Sequence, residues 1–135
     1  MPSNSETILT TQTHPADSSI QTVTGSKFKG DGYYGRSDGF HTVQIDLTGF
    51  IGKVNIQGTL AVDPAEDDWF NLVLDPSKQS VDTTGLVVNQ SITSLEYTSV
   101  TTNTKSYNFT GNYVWVRAYV GNWTDGTVNS IQLNH

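Results

Sequence analysis

A chain of 135 residues with 13 acids against 7 bases carries a formal charge of −6 and has no cysteine. That balance repels a phosphate backbone, and the missing thiols exclude disulfides, thiolate metal sites and cysteine nucleophiles together. The length predicts one domain with its own core, and no apolar run reaches the length of a bilayer span.

Only 15% of the residues are charged, against about a quarter in ordinary domains. Ser, Thr, Val, Gly and Asn are abundant, and short β-branched runs are broken by Gly, Asn and Asp. That pattern predicts an all-β chain. Residues 1–24 are polar and read as an extended N-terminal arm, with Ile8, Leu9 and Ile20 as its aliphatic anchors. Two placements stand open: an edge strand on its own domain, or an arm reaching a neighbouring subunit. Under the second, truncation of residues 1–24 leaves a folded but detached domain of residues 25–135. The start lacks the basic and apolar regions of a signal peptide, which predicts synthesis in the cytoplasm.

From residue 20 the strand signals follow one another. Residues 20–23 read as a short strand, and the glycines of 27–34 imply a corner. A turn is predicted at 36–39. Residues 41–47 place Val43, Ile45 and Leu47 inward; 48–52 read as a loop; 53–61 return as the hairpin partner with Val54, Ile56 and Leu60 inward. Gly58 breaks that inward row, as though an aromatic ring needs the room. An acidic loop at 63–68 precedes a strand at 69–74, where Trp69 and Phe70 read as core. Shorter strands are predicted at 86–88, 94–98 and 104–109, then a three-residue hairpin loop at 110–112.

Residues 113–120 alternate without a break. Val114, Val116, Ala118 and Val120 form the inward face, while Tyr113, Trp115, Arg117 and Tyr119 face outward. A turn at 122–126 leads to a closing strand at 127–133, where Val128 and Ile131 fall out of phase and imply a bulge. About nine strands at this spacing predict a two-sheet antiparallel sandwich, jelly-roll-like, whose last third is a meander.

No catalytic centre is legible. The three histidines lie in the arm, at a strand start and at the last residue, and no nucleophile elbow surrounds a serine. Asp63, Glu66 and Asp67 are weak candidates for a hard cation, because their loop lacks calcium-loop spacing. No cofactor is expected. The outward row is more informative, since Trp, Tyr and Arg are enriched where proteins dock. Trp115, Arg117, Tyr119 and Trp123, with Ile8 and Leu9 of the arm, are the predicted interface; self-coverage by the arm or a long loop is the alternative. Tyr33, Tyr34 and Trp123 are candidate flat platforms for a sugar ring.

The runs His41-Thr-Val-Gln-Ile-Asp-Leu, Ile56-Gln-Gly-Thr-Leu-Ala, Asp68-Trp-Phe, Tyr113-Val-Trp-Val-Arg-Ala and Gly126-Thr-Val-Asn-Ser-Ile-Gln-Leu carry a family likeness. Over residues 26–134 the chain resembles β-sandwich modules in virion structural proteins of tailed bacteriophages, particularly marine ones. The resemblance implies a non-enzymatic, repeated structural subunit located in the virion, such as a capsid decoration or cement protein. A tail, neck or fibre subunit is the runner-up. Implied partners are the major capsid protein or tail components and further copies of the chain on the particle, with no nucleic acid or membrane. A carbohydrate-binding module for surface attachment is the reading from another class.

Overall fold

The computed structural model describes residues 5–35, 39–81 and 83–134. Part of the predicted 36–39 turn and His135 lie outside them. The chain is antiparallel β throughout, with a single 3₁₀ turn at Glu66–Asp68 among the described residues. Its strands are β1 (Ser5–Leu9), β2 (Gln12–Thr13), β3 (Gln21–Thr24), β4 (Phe28–Lys29), β5 (Phe40–Thr59), β6 (Phe70–Asn71), β7 (Leu74–Val81), β8 (Val87–Ile92), β9 (Leu95–Thr110) and β10 (Trp115–Asn134).

The all-β antiparallel expectation holds, and the sheet is curled; β7 and β8 pair with each other and join the remaining strands through the single Asp75–Asn108 pair. Hydrogen bonds connect the strands along one path, β1-β10-β5-β9-β7-β8, with β2, β3 and β4 also on β10 and β6 on β5. Two predicted turns are bends within long strands. Residues 48–52 do not reverse the chain, because β5 runs on for 20 residues. Residues 122–126 likewise lie inside the 20 residues of β10, and β9 spans both strands predicted at 94–98 and 104–109. The 110–112 segment is no hairpin loop either, since β5 lies between β9 and β10.

The misreading has a local cause. In β5, His41, Val43, Ile45 and Leu47 are buried, then Phe50, Gly52, Val54, Ile56 and Gly58. The buried set moves from odd to even positions across Thr48 and Gly49. A strand can change phase this way only by inserting an extra residue, which is a β-bulge. Gly49 supplies the positive φ of 60° that the bulge needs. Pairing between β5 and β9 slips at the same place, between Leu47 and Phe50. β10 slips opposite it, between Gly121 and Thr127, and again between Val128 and Ser130, where the sequence predicted a bulge.

The three long strands therefore bend along one line, and the sheet curls. Side chains on the concave face of both halves join one core, including Val43, Ile45, Leu47, Val54, Ile56, Val116, Ala118, Val120 and Leu133. Phe50 sits fully buried at the bend, 5.8 Å from the Tyr97 ring and 6.2 Å from Trp123. Burial pushes the Tyr97 hydroxyl pKa up, and its contact with Tyr107 adds to the shift. Backbone meets backbone at the crease: a Cβ on Gly126 would lie 2.1 Å from the Gly49 carbonyl oxygen. The room at Gly58 is filled as expected, by Leu72 and the Tyr113 ring.

Residues 5–29 run antiparallel along the outer edge of β10, from Ser5 beside Asn134 to Lys29 beside Trp115. The arm is extended, but its partner is its own last strand. Ile8 and Leu9 are buried in the core, at 2% and 6% exposure, whereas Ile20 is exposed. The pairing supplies partners for an edge that would otherwise present free amides and carbonyls.

Deleting residues 1–24 should leave a chain that no longer folds, because each buried aliphatic is worth about 2–5 kcal/mol and whole domains are stable by only about 5–15 kcal/mol. In denaturant unfolding, Ile8→Ala should cost about 2–4 kcal/mol while Ile20→Ala stays within about 0.5 kcal/mol. Gly126→Ala should destabilise more than Gly85→Ala by about 2–4 kcal/mol. Both glycines have positive φ, but a Cβ at Gly85 meets nothing within 4 Å.

Candidate functional site

Trp115, Arg117 and Tyr119 do leave β10 on the convex side, as the alternation predicts. Tyr113 does not join them: it precedes β10 and packs on the core beside Phe70, at 5.7 Å, and Phe109, at 6.2 Å. The row is not left open. The segment after β5 folds back across it and is fastened at two points. The Trp115 indole N–H donates to the Val62 carbonyl at 2.9 Å. The Arg117 guanidinium donates from Nη1 and Nη2 to the two carboxylate oxygens of Glu66, each at 3.1 Å.

Arg117 is only 7% exposed. Its Nε donates to Gln57 Oε1 at 2.8 Å, from the neighbouring residue on β5, and its guanidinium carbon lies 4.3 Å from the Trp69 ring centroid. A guanidinium withdrawn from water must find acceptors nearby. The acidic loop provides them, so two features that look separate in sequence are partners. Glu66 itself remains in solvent, with its side chain 80% exposed. The ion pair is therefore screened, and its main effect is to satisfy the withdrawn cation. The hydrogen bonds and charge of Arg117 hold the Glu66 carboxyl below its ordinary value of 4.5.

These contacts correct the predicted docking patch. Arg117 is sealed under the chain's own loop, and Trp115 and Tyr119 are half-buried. Lys27 Nζ sits 4.5 Å above the Trp115 ring. Trp123 is in the core at 2% exposure, because the bulge turns it inward, where its N–H donates to the Asp125 carbonyl at 2.9 Å. Ile8 and Leu9 are core residues as well. Of the candidate sugar platforms, Trp123 is thus excluded. Tyr33 and Tyr34 are nearly half-exposed but stand edge to face, at 80° and 5.5 Å, with Lys29 Nζ 4.5 Å from the Tyr33 ring centroid. They do not form one flat surface.

The weak cation candidates do not gather. Both Glu66 oxygens face Arg117, and no group of three or more His, Asp or Glu side chains converges among the described residues. The Asp68 carboxylate instead accepts the Ala65 N–H at 2.8 Å and closes the 3₁₀ turn. His14 accepts the Ala16 N–H on Nδ1 and donates from Nε2 to the Ser19 carbonyl; His41 stacks on Phe109 at 4.5 Å, with Nδ1 directed at the Gly39 carbonyl.

Between the loop and the sheet lies a cleft of about 380 Å³ that the sequence did not disclose. Asn55, Gln57 and Arg117 form its floor, on adjacent strands. Trp69 and Tyr119 are its aromatic walls; Lys53 and Asn71 stand at its rim, with Thr24 of β3 beside them. The Tyr119 ring lies over Gly121, where the missing side chain leaves room. Asn55 donates from Nδ2 to the Thr93 carbonyl at 2.8 Å, and Gln57 donates from Nε2 to Asn71 Oδ1 at 3.1 Å. The outward position of Gln57 was legible from period two, and Lys53 and Asn55 share its phase, whereas Thr59, read as outward with it, is buried. The coverage of Lys53, Asn55 and Gln57 was not legible, because Trp69 reads as core until the loop's path is known.

No family model matches the chain, and no curated protein or solved structure matches it.

The loop clasp should respond to acid. Glu66 is depressed in the folded state, so its contribution is complete above pH 4.5 and is lost as the pH falls through its lowered native value. Tryptophan fluorescence should report loosening around Trp69 in that window. Glu66→Gln should show the loosened signal already at neutral pH and lack that part of the acid transition.

Proposed function

We propose that this chain is a non-enzymatic structural subunit of a tailed-phage virion, acting as a capsid decoration or cement protein. The sequence resemblance over residues 26–134 supports the class. The observation that carries the docking role is a concentration of exposed apolar side chains at one end of the sheet. There the 30–35 turn, the start of β5, the segment after β5, and β6 come together with residues 110–115. The contacts include Gly32 N–H to the Tyr113 carbonyl and Val114 N–H to the Thr59 carbonyl, each at 2.9 Å, and Gly111 N–H to the Gly39 carbonyl at 3.0 Å. Phe40, Leu60 and Val62 are 70%, 65% and 77% exposed, and Phe70, Tyr33 and Tyr34 are each more than 40% exposed. Leu60, expected inward, stands just past the end of β5. Monomeric proteins seldom leave that much apolar surface together unless it meets another surface.

In this reading the end of the sheet, and neither the Trp115–Arg117–Tyr119 row nor the arm, seats on a capsid or tail protein, with many copies per particle. The net charge of −6 disfavours a nucleic-acid partner. No helix among the described residues is long and apolar enough to cross a membrane. A tail, neck or fibre position would use the same surface and differ only in where the protein maps.

The test is immunogold labelling and mass spectrometry of gradient-purified particles of the phage that encodes the chain. Many copies on the head shell are expected. A Leu60→Glu, Val62→Glu, Phe70→Glu variant should keep its melting temperature and lose particle binding. Absence of the protein from purified particles, or full occupancy by the variant, would sink the proposal.

A further inference from the structure

We infer that the cleft between the acidic loop and the convex face of β5 and β10 is a binding site for a saccharide. The inference does not depend on a place in a virion. It rests on how the cleft is built.

Its floor side chains are held before any ligand arrives. Arg117 is fixed by Gln57, by both oxygens of Glu66 and by the Trp69 ring. Gln57 is fixed in turn by Asn71, and Asn55 by the Thr93 carbonyl. Asn55 is 2% exposed and Arg117 7%, both on long strands in the middle of the sheet. Polar side chains held this firmly on rigid elements present donors and acceptors at fixed places, which lowers the ordering cost of binding.

The chemistry of the lining selects the ligand class. Carboxamides offer a donor and an acceptor side by side, which is what a vicinal pair of hydroxyls needs. Asn55, Gln57 and Asn71 all line the cleft; their bonds to Thr93, Arg117 and one another use part of that capacity, and the Asn71 amide N–H groups, the second Gln57 Nε2–H and the Lys53 ammonium are left for a ligand. One face of the Trp69 ring is taken by Arg117, so its other face and the Tyr119 ring are the aromatic surface left for the C–H side of a pyranose. A phosphate site would need cations in excess, but the charge of Arg117 is already met by Glu66. A lipid or flat aromatic ligand would need an apolar lining, and this one is mostly polar. The volume of about 380 Å³ is at the small end for ligand sites and suits one or two sugar rings.

The experiment is ¹⁵N-detected NMR titration of the full chain with neutral hexoses, N-acetylhexosamines and uronic acids, with inorganic phosphate as the competing probe. At least one sugar should give saturable shifts in the side-chain amides of Asn55, Gln57 and Asn71 and in the Trp69 indole N–H. Asn71→Ala, at an exposed rim position, should weaken binding about tenfold, as expected for one lost hydrogen bond, with an unchanged melting temperature. Lys53→Met should weaken it similarly, and Tyr33→Ala should leave it unchanged. The inference is overturned if no sugar gives saturable shifts, if phosphate alone moves these resonances, or if Tyr33→Ala abolishes binding while Asn71→Ala does not. Asn71→Ala and Lys53→Met remove no apolar side chain from the docking end, and the control Tyr33→Ala, which does lie there, is read only for sugar binding; failure here therefore leaves the particle-docking reading standing, and the reverse also holds.

Discussion

Everything in this molecule depends on a change of phase. Three long strands carry an apolar face that would be exposed if they ran flat, and each slips its register at the same level. Gly49 and Gly126 let two backbones meet at that line, and Phe50 fills the inside of the bend. Strands that continue through a bulge can serve two halves of a curled sheet, so one continuous set of hydrogen bonds encloses one core. The loops at either end inherit their positions from that bend.

The convex face is organised by a second constraint, the withdrawal of Arg117 from water. A guanidinium at 7% exposure on a sheet surface forces its surroundings to provide oxygen atoms. Gln57 comes from the next strand and Glu66 from the loop. Once the loop is clasped there, Trp69 is carried away from the core and set against the cation, and a polar cleft is left beneath. Thus one buried charge decides where an acidic segment lies and creates a concavity next to it.

Much of this was legible in the residues. Period two identified β10 from Val116 to Val120 and both halves of β5, and it placed Trp115, Arg117 and Tyr119 on the outer side. The Val128–Ile131 bulge and the space at Gly58 could also be read. The topology could not. Thr48-Gly49 and Asp125-Gly126 have turn chemistry, and a positive-φ glycine serves a hairpin and a bulge equally well. Only the pairing of β10 with β5 along its whole length decides between them, and that is a long-range fact. The same ambiguity misplaced Trp123, since a residue at a supposed hairpin tip is expected in solvent. The convex cleft was hidden for another reason. Asn55, Gln57 and Asn71 look like ordinary outward amides, and nothing local says that residues 61–69 come back over them.

The zipping of β1 onto the end of β10 has a mechanical side. Ser5 lies opposite Asn134, so the outer end of β1 and the last residue of β10 share one corner of the sheet. A tug that separates those ends would load the β1–β10 hydrogen bonds one after another, as a zip is opened, and not all at once in shear. Such a sheet resists compression through its shared core, yet peels readily from that corner, and Ile8 and Leu9 are the first buried groups to come free.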